Sequence, residues 1–560
     1  MARASHHRAL VAVALAAALG VAGCTTAGEG AARPTGRPVG SAGGTLVLGA
    51  EQEPDCADWI GSCAGSAWGS WVMQVHTIPR TFDYAKRGGT WTEVPSILLA
   101  GMPEVTEVDG RQVVTYRLNP EARWSDGTPI TSADFHFTWR EIVDGTDIYD
   151  KTGYDRIETV DASDPLTVVV TFREPYAAWR GLFAAYGVLP KHLLEGKDRA
   201  KEMADGYDWS GGPWLASWRK GTSVTLTPNP RWYGPKPKLD KVVFKFLASS
   251  AAQFKAFRNR EVLAIYPQPQ LEIVDQVVAR DPDARRFVTT ETGNVEALWV
   301  NNERFPFDDQ LVRQAFAHAV DRDAIVRRLF GRLGVDEAVH SFNPPIQARY
   351  ATPAFAAYRP DRRRVAELME QAGFTRDRDG RWTKDGRLAE VTLTTTTGNK
   401  RRELTLQILQ DQLRRAGFPA RIANLPPDEL FGERLPSGDF QVALYAQVVT
   451  SLDPGLCVVF CAKNIPGPEN DESGQNFTRT RVPEADPFLE QVDVETDDAA
   501  RVAAAKRADE LLASAMVSLP LDPLPNIGLW DRRIEGPVGD NPVLGMFWNV
   551  HAWRCRGGRC

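Results

Sequence analysis

Histidine is scarce in this chain and never clustered. Eight occur in 560 residues, two of them before residue 8, and His76, His136, His192, His318, His340 and His551 stand singly. No His-Glu-x-x-His pair, no loop ending in Gly-Lys-Ser/Thr and no Gly-x-Gly-x-x-Gly after a strand is present, so the usual motifs of zinc hydrolases, nucleotide hydrolases and dinucleotide enzymes are missing. No cofactor, resident metal or catalytic residue is called for. Gly61-Ser-Cys-Ala-Gly65 mimics a nucleophile elbow, but the residues before it do not read as a strand, and Cys63 has a closer use as a partner of Cys56. The carboxylate pairs Asp308-Asp309 and Asp497-Asp498 fall where helices begin, so they read as caps before acids. Long basic runs are absent and the formal charge is −6, which argues against nucleic acid as a partner. Beyond residue 23, no apolar run is long enough to cross a membrane.

What is present begins at the N-terminus. Arg3 and Arg8 precede an uncharged apolar run, Ala9 to Gly23, too short to span a bilayer and ending in small residues. This is the pattern of a secretory signal, and Val21-Ala22-Gly23-Cys24 resembles the lipobox of bacterial lipoproteins. Cleavage before Cys24 would leave a lipid-bearing N-terminal cysteine, place the working protein outside the cytoplasm and make lipid its only membrane attachment. Six cysteines then remain, in three close pairs: Cys56 and Cys63, Cys457 and Cys461, Cys555 and Cys560. An exported chain oxidises such cysteines, and short loops cost least to close, so local pairing is expected although connectivity is not fixed by sequence. The spacings are not those of zinc ribbons.

Residues 24–44 are rich in Gly, with Pro34 and Pro38, and read as a flexible tether. From Thr45 the chain has ordinary globular composition, and its length calls for at least two lobes. Thr45–Ala50, Leu166–Phe172, Val242–Phe246, Ala297–Asn301 and Phe440–Gln447 read as strands. Asp361 caps a helix whose apolar face carries Val365, Leu368, Met369 and Ala372 and which stops at Gly373; Leu404–Ala416 repeats the pattern and stops at Gly417. Leu311–Phe330 also shows helical spacing, with Arg313 and Arg322 expected to be solvated or paired. The class is mixed α/β.

Several longer stretches carry a resemblance. Arg117–Arg140, RLNPEARWSDGTPITSADFHFTWR, is followed in order by Pro175-Tyr176, Val188-Leu-Pro-Lys-His192, Gly211-Gly-Pro213, Asn229-Pro-Arg-Trp-Tyr-Gly234 and Pro237-Lys-Leu-Asp-Lys241. Asn301-Asn302, Phe307-Asp-Asp309, Val312-Arg-Gln-Ala-Phe316 and Ala319-Val-Asp-Arg322 continue it, and Arg507–Leu519 closes it. This order, from about Thr45 to Pro525, resembles the family 5 extracellular solute-binding proteins, the peptide- and nickel-type receptors of ABC importers. The resemblance implies a two-lobed, periplasmic-binding-protein-like α/β fold of the large peptide-receptor type, with a hinge and a ligand cleft between the lobes. Lobe I is expected at residues 45–295, with 521–560 returning to it, and lobe II at 296–520. Closure around a solute would then present the receptor, acting as a monomer, to a membrane permease.

The implied cleft residues are Glu51, after the first strand; Trp299 and Asn301, near the crossover between lobes; and Tyr445, Thr450 and Asp453, on a lobe II strand and the loop it enters. Sixteen tryptophans, eleven of them between Trp59 and Trp232, suit apolar side chains and sugars alike. An oligopeptide is therefore the first expected cargo, with an oligosaccharide or a metal chelate as the alternative, and an exported enzyme or surface structural protein behind both. One departure bears on the cargo. Receptors of this kind place an aspartate on the cleft loop, four residues before the proline of an acidic-Pro step, to meet the peptide's α-ammonium; the step here is Asp453-Pro454, and the position holds Thr450. Threonine cannot neutralise a buried ammonium, so a free N-terminus is not expected to be the main anchor, and N-blocked or longer peptides, or a neutral cargo, are expected to be tolerated.

Overall fold

In this computed structural model the residues described are 43–267, 269, 281–449, 451–470, 474–558 and 560. Cys24 and Thr450 lie outside them. Two sheets organise the protein. The first has seven strands in the order Ala284–Thr289, Asn526–Asp531, Ala264–Ile265, Thr45–Ala50, Lys241–Phe246, Ser223–Pro228 and Trp214–Arg219. Thr45–Ala50 runs parallel to both of its neighbours, and its buried Leu46, Leu48 and Ala50 show why it reads as a continuous apolar run. The second has five, Ala420–Ile422, Val391–Thr394, Val442–Val448, Asn294–Val300 and Leu519–Asp522. The chain passes from the first sheet to the second at residues 290–293 and returns at 523–525. Each sheet has its own hydrophobic core, one drawn from Leu46–Tyr266 and Ile534–Cys555, the other from Ala297–Leu524. The fold is two-lobed.

Local signals explain the helices. Asp361 accepts from the backbone N–H groups of Arg363 and Arg364 and starts Arg362–Gln371, while Gly373 (φ +82°) ends it in the left-handed region. Asp309 and Asp497 cap their helices in the same way. Lys400–Ala416 buries Leu406, Leu409 and Leu413 on one face, each worth about 1.5–3 kcal/mol, and stops at Gly417 (φ +95°). The apolar stretch from Leu311 is two helices, Gln310–Ala319 and Arg322–Phe330, because Asp321 caps the second through the N–H of Ala324. Arg313 and Arg322 are not solvated. Both are buried, and both donate mainly to backbone carbonyls: Arg313 to Phe307, Ala515 and Met516, Arg322 to Val339, Pro520, Phe355 and Tyr358. Ala515 and Met516 end the helix Asp498–Ala515, whose orphan carbonyls the guanidinium satisfies.

Several of the lobe I motifs form joints with one another. Asp126 of the Trp124–Thr128 turn, with Gly127 at φ +97°, meets Nε2 of His192 at 2.8 Å. Asn229 donates to the carbonyl of Gly212 at 2.9 Å. The cysteines come together as three local pairs, with Cα atoms 5.5, 4.7 and 5.2 Å apart, within disulfide reach. Among the described residues no helix is long and apolar enough to cross a membrane.

Candidate functional site

The edge of the first sheet that faces the crossovers follows from register. Ala264–Ile265 runs parallel to Thr45–Ala50, so Tyr266 and Glu51 leave the sheet at the same end. Asn526–Asp531 is antiparallel to Ala264–Ile265 and pairs Asn526 with Thr289, which brings its first residue to that end too. This is the carboxyl end of the parallel strands, where open α/β sheets bind ligands. Thr292 donates to the carbonyl of Pro523 at 2.7 Å, tying the two crossover segments together.

On the second sheet the opposite wall opens. Val391–Thr394 pairs with Val442–Val448 only as far as Ala443 and then turns toward Leu425. Past that point the Thr395 hydroxyl still donates to the carbonyl of Leu444 at 2.8 Å, and beyond Leu444 the strand is paired only with Asn294–Val300. Val449 donates to the carbonyl of Gly293, so in the antiparallel alternation the backbone groups of Val448 and Ala446 point to the other side. Among the described residues they meet no partner there. Phe431 (42% exposed) and Val448 (50% exposed) add apolar surface to this open edge.

The expected cleft residues fare differently from one another. Glu51 is half-buried, with Nε2 of Gln253 at 3.4 Å from its carboxylate. Trp299 and Asn301 were expected beside the ligand and instead lie inside the core of lobe II. The Trp299 ring is 1% exposed, stacks on Tyr445 at 5.1 Å and on Phe342 at 5.3 Å, and donates its N–H to the carbonyl of Tyr445. Asn301 is fully buried and donates to the carbonyl of Gly438. Tyr445 is 7% exposed, burial pushes its phenol far up, and Phe431 covers it edge-on at 5.5 Å. Asp453 is held in an ion pair by Arg501, and its backbone carbonyl accepts from Gln347 at 2.6 Å.

Its neighbour Leu452 does reach across. Leu452 packs against the lobe I cluster of Val75, Tyr84 and Leu544, beside Trp91 and Trp548. The lobes also meet where Ala177 N–H donates to the carbonyl of Asp493 at 2.8 Å, and Lys86 pairs with Glu291 of the crossover segment. A cavity of about 530 Å³ lined by Phe305, Asp308, Phe374 and Arg387 belongs to lobe II alone.

Two groups at the crossover escape sequence reasoning. Glu296 is fully buried on the strand Asn294–Val300, opposite Asp522. Burial opposes its ionisation, but Arg401 at 3.1 Å and Arg402 at 2.6 Å outweigh that and hold its carboxyl well below the usual range. Asp522 is pushed up, chiefly by burial. The second is Asp540, whose Oδ1 accepts from the Tyr266 hydroxyl and Oδ2 from Nδ2 of Asn526, each at 2.9 Å. Asn526 is in turn 3.5 Å from Nδ2 of Asn294. A charge inside an apolar strand was a visible signal for Glu296; Gly539-Asp540-Asn541-Pro542 reads only as a turn.

Residues 95–457 match the model of a family described as bacterial extracellular solute-binding proteins, family 5. The oligopeptide-binding protein OppA of Mycobacterium tuberculosis is 27% identical over 478 residues, 81% of this chain and 76% of that protein. Among solved structures, the periplasmic EDTA-binding protein EppA superposes with a TM-score of 0.81 at 24% identity, over 92% of this chain and 97% of that one. AppA of Bacillus subtilis, solved with a nonapeptide, gives 0.78 at 19% identity, over 92% and 99%.

Proposed function

Since the chain belongs to the family 5 bacterial extracellular solute-binding proteins, we propose that it is the receptor of an ABC importer, capturing oligopeptides between its lobes and passing them to a membrane permease. The observation that carries the peptide reading is the open backbone edge at Ala446 and Val448. An extended peptide can add there as a strand, exchanging main-chain hydrogen bonds with Ala446 and Val448, which meet none on that side among the described residues. That mode reads backbone rather than side chains, which suits cargo of varied sequence. Similarity to an oligopeptide-binding protein over 81% of the chain supports the same reading.

On this reading lobe I is residues 45–295 with 521–560, and lobe II is 296–520; the separate cores and the crossovers at 290–293 and 523–525 support the division. Glu51, Tyr445 and Thr450 would line or flank the cleft, Leu452 would close it, and Asp453 would hold its loop in place. The six paired cysteines are assigned as three disulfides, and Cys24 as the lipidated end of a monomeric receptor on the outer face of the membrane. The alternative cargo, a metal chelate, has support from the fold shared with an EDTA-binding protein.

Mass spectrometry of ligand carried through native purification tests the cargo directly. Peptides should be recovered, and tri- to hexapeptides should raise the melting temperature of the emptied protein, because a ligand bound only by the folded state stabilises it. Recovery of a metal chelate, with no shift from any peptide, would replace the peptide reading by the alternative.

A further inference from the structure

Asp540 sits at the cleft edge of lobe I and has only neutral company. Its oxygens accept from the Tyr266 hydroxyl, the Asn526 amide and the backbone N–H of Asn541, and no lysine, arginine or histidine pairs with it among the described residues. Asp540 is half-buried, and drawing a carboxylate partly out of water without a cation is costly. The surroundings fit an incoming cation. Tyr266 leaves its strand at the end facing the crossovers, and the half-exposed Trp71 stands edge-on to it at 5.1 Å. The tail after Asp540 lies so close to Trp71 that a Cβ at Gly545 would come within 2.8 Å of the indole. Aromatic faces next to a carboxylate attract ammonium and guanidinium groups and offer nothing to an anion.

We propose that Asp540 is the counter-charge for a cationic group of the cargo, an ammonium or a guanidinium, held between the Tyr266–Asn526 pair and Trp71. This deepens the receptor reading and rests on it for the identity of the cargo. It also answers the departure at Thr450: the acid absent from the cleft loop of lobe II is supplied from the tail of lobe I. Burial pushes the Asp540 carboxyl up to about 6, against the hydrogen bonds of Asn526 and Tyr266 that favour the anion. A bound cation would reverse that and expel the proton.

The test compares the whole chain with Asp540→Asn, which keeps the shape, and with Asp540→Glu, which keeps the charge. Each protein is equilibrated with a mixture of tetrapeptides, free or N-acetylated and with or without one lysine or arginine, and the retained peptides are identified by mass spectrometry. Peptides with a cationic group should be enriched about ten- to hundredfold in the wild type, as a charged hydrogen bond predicts, and not in Asp540→Asn. Acetylated peptides with one basic residue and free peptides without one separate the two sources of charge. A parallel thermal-shift arm uses N-acetyl-lysinamide and its uncharged analogue N-acetyl-norleucinamide. A cation-specific shift without peptide retention would sink the peptide reading and leave the anchor standing. The same retained peptides in wild type and Asp540→Asn, or no cation preference in either arm, would overturn the anchor.

Discussion

Two carboxylates near the crossovers, one fully buried and one half-buried, are treated in opposite ways. Glu296, on the lobe II side, is enclosed completely and clamped by Arg401 and Arg402. Asp540, on the lobe I side, is held by a tyrosine and an asparagine and keeps some contact with solvent. Glu296 is the more deeply buried of the two, and it alone has guanidinium partners. Glu296 is neutralised by arginines of its own lobe, and Asp540 is left with neutral donors. A buried ion pair completed within the chain is architecture, whereas a carboxylate left with neutral donors at a cleft is capacity for binding.

The largest effect is expected from unbalancing the first acid. Arg401→Met removes one of the two guanidinium groups facing fully buried Glu296 and should cost about 3–5 kcal/mol in urea unfolding. Because the Glu296 carboxyl is held below its unfolded value, its contribution is present above the unfolded pKa and lost as pH falls through the folded one. The variant should therefore lose less stability on acidification than the wild type. A cost below about 1 kcal/mol would mean that Arg402 suffices alone.

Asp540→Asn should act in the opposite direction on the empty protein. A carboxyl whose folded pKa is raised stabilises fully below its unfolded pKa, and that stabilisation disappears as pH rises toward about 6. At pH 7.5 the wild type carries the whole deficit, so the variant should be more stable by up to about 2 kcal/mol and equal to it near pH 4. Of the groups facing Asp540, Tyr266 from the strand end, Asn526 from the crossover and the Asn541 backbone from the tail, none titrates in that window. Destabilisation at pH 7.5 would make Asp540 a structural hub like Glu296.

A smaller effect is expected at the cysteines. On the proposed pairing, Cys457 and Cys461 would close a ring of five residues, and so short a ring restrains little of the unfolded chain. Replacing both by serine should lower stability by about 1–2 kcal/mol. Peptide mapping without reduction should place each pair in one fragment, and free thiols in protein exported by its host would contradict the pairing.

Fold and site were legible to different degrees for a physical reason. Caps, glycine stops and apolar spacing are local, and Asp361, Gly373, Asp309 and Gly417 do in space what they do on paper. The motifs that give the family away bind one another, as Asp126 does His192 and Asn229 does Gly212, so they report the scaffold. The cleft is assembled from distant segments. Trp299 and Asn301 sit on the right strand, yet its pleat and the strand's end turn them into the core, while the open edge lies on the neighbouring strand at Ala446 and Val448. Asp540 lies 274 residues from its partner Tyr266, beyond any local pattern.

Leu452→Ala should produce the smallest change, and it separates closure from charge. Leu452 belongs to the lobe II loop but packs on Val75, Tyr84 and Leu544 of lobe I, so its contact exists only while the lobes are together. The side chain is half-buried, and truncating it removes about 1 kcal/mol from the closed form while leaving each lobe's own core intact. Cargo that binds by closure must supply that deficit, since a ligand shifts an equilibrium only by its differential affinity for the two states. Affinity should fall about fivefold for every cargo, cationic or neutral, acetylated or free, as isothermal titration against the same tetrapeptides would read. Asp540→Asn should instead spare neutral cargo and penalise cationic cargo alone. A Leu452→Ala effect confined to cationic peptides would show that closure and charge are read by one site, and that the two acids at the crossover are not as separate as their partners make them.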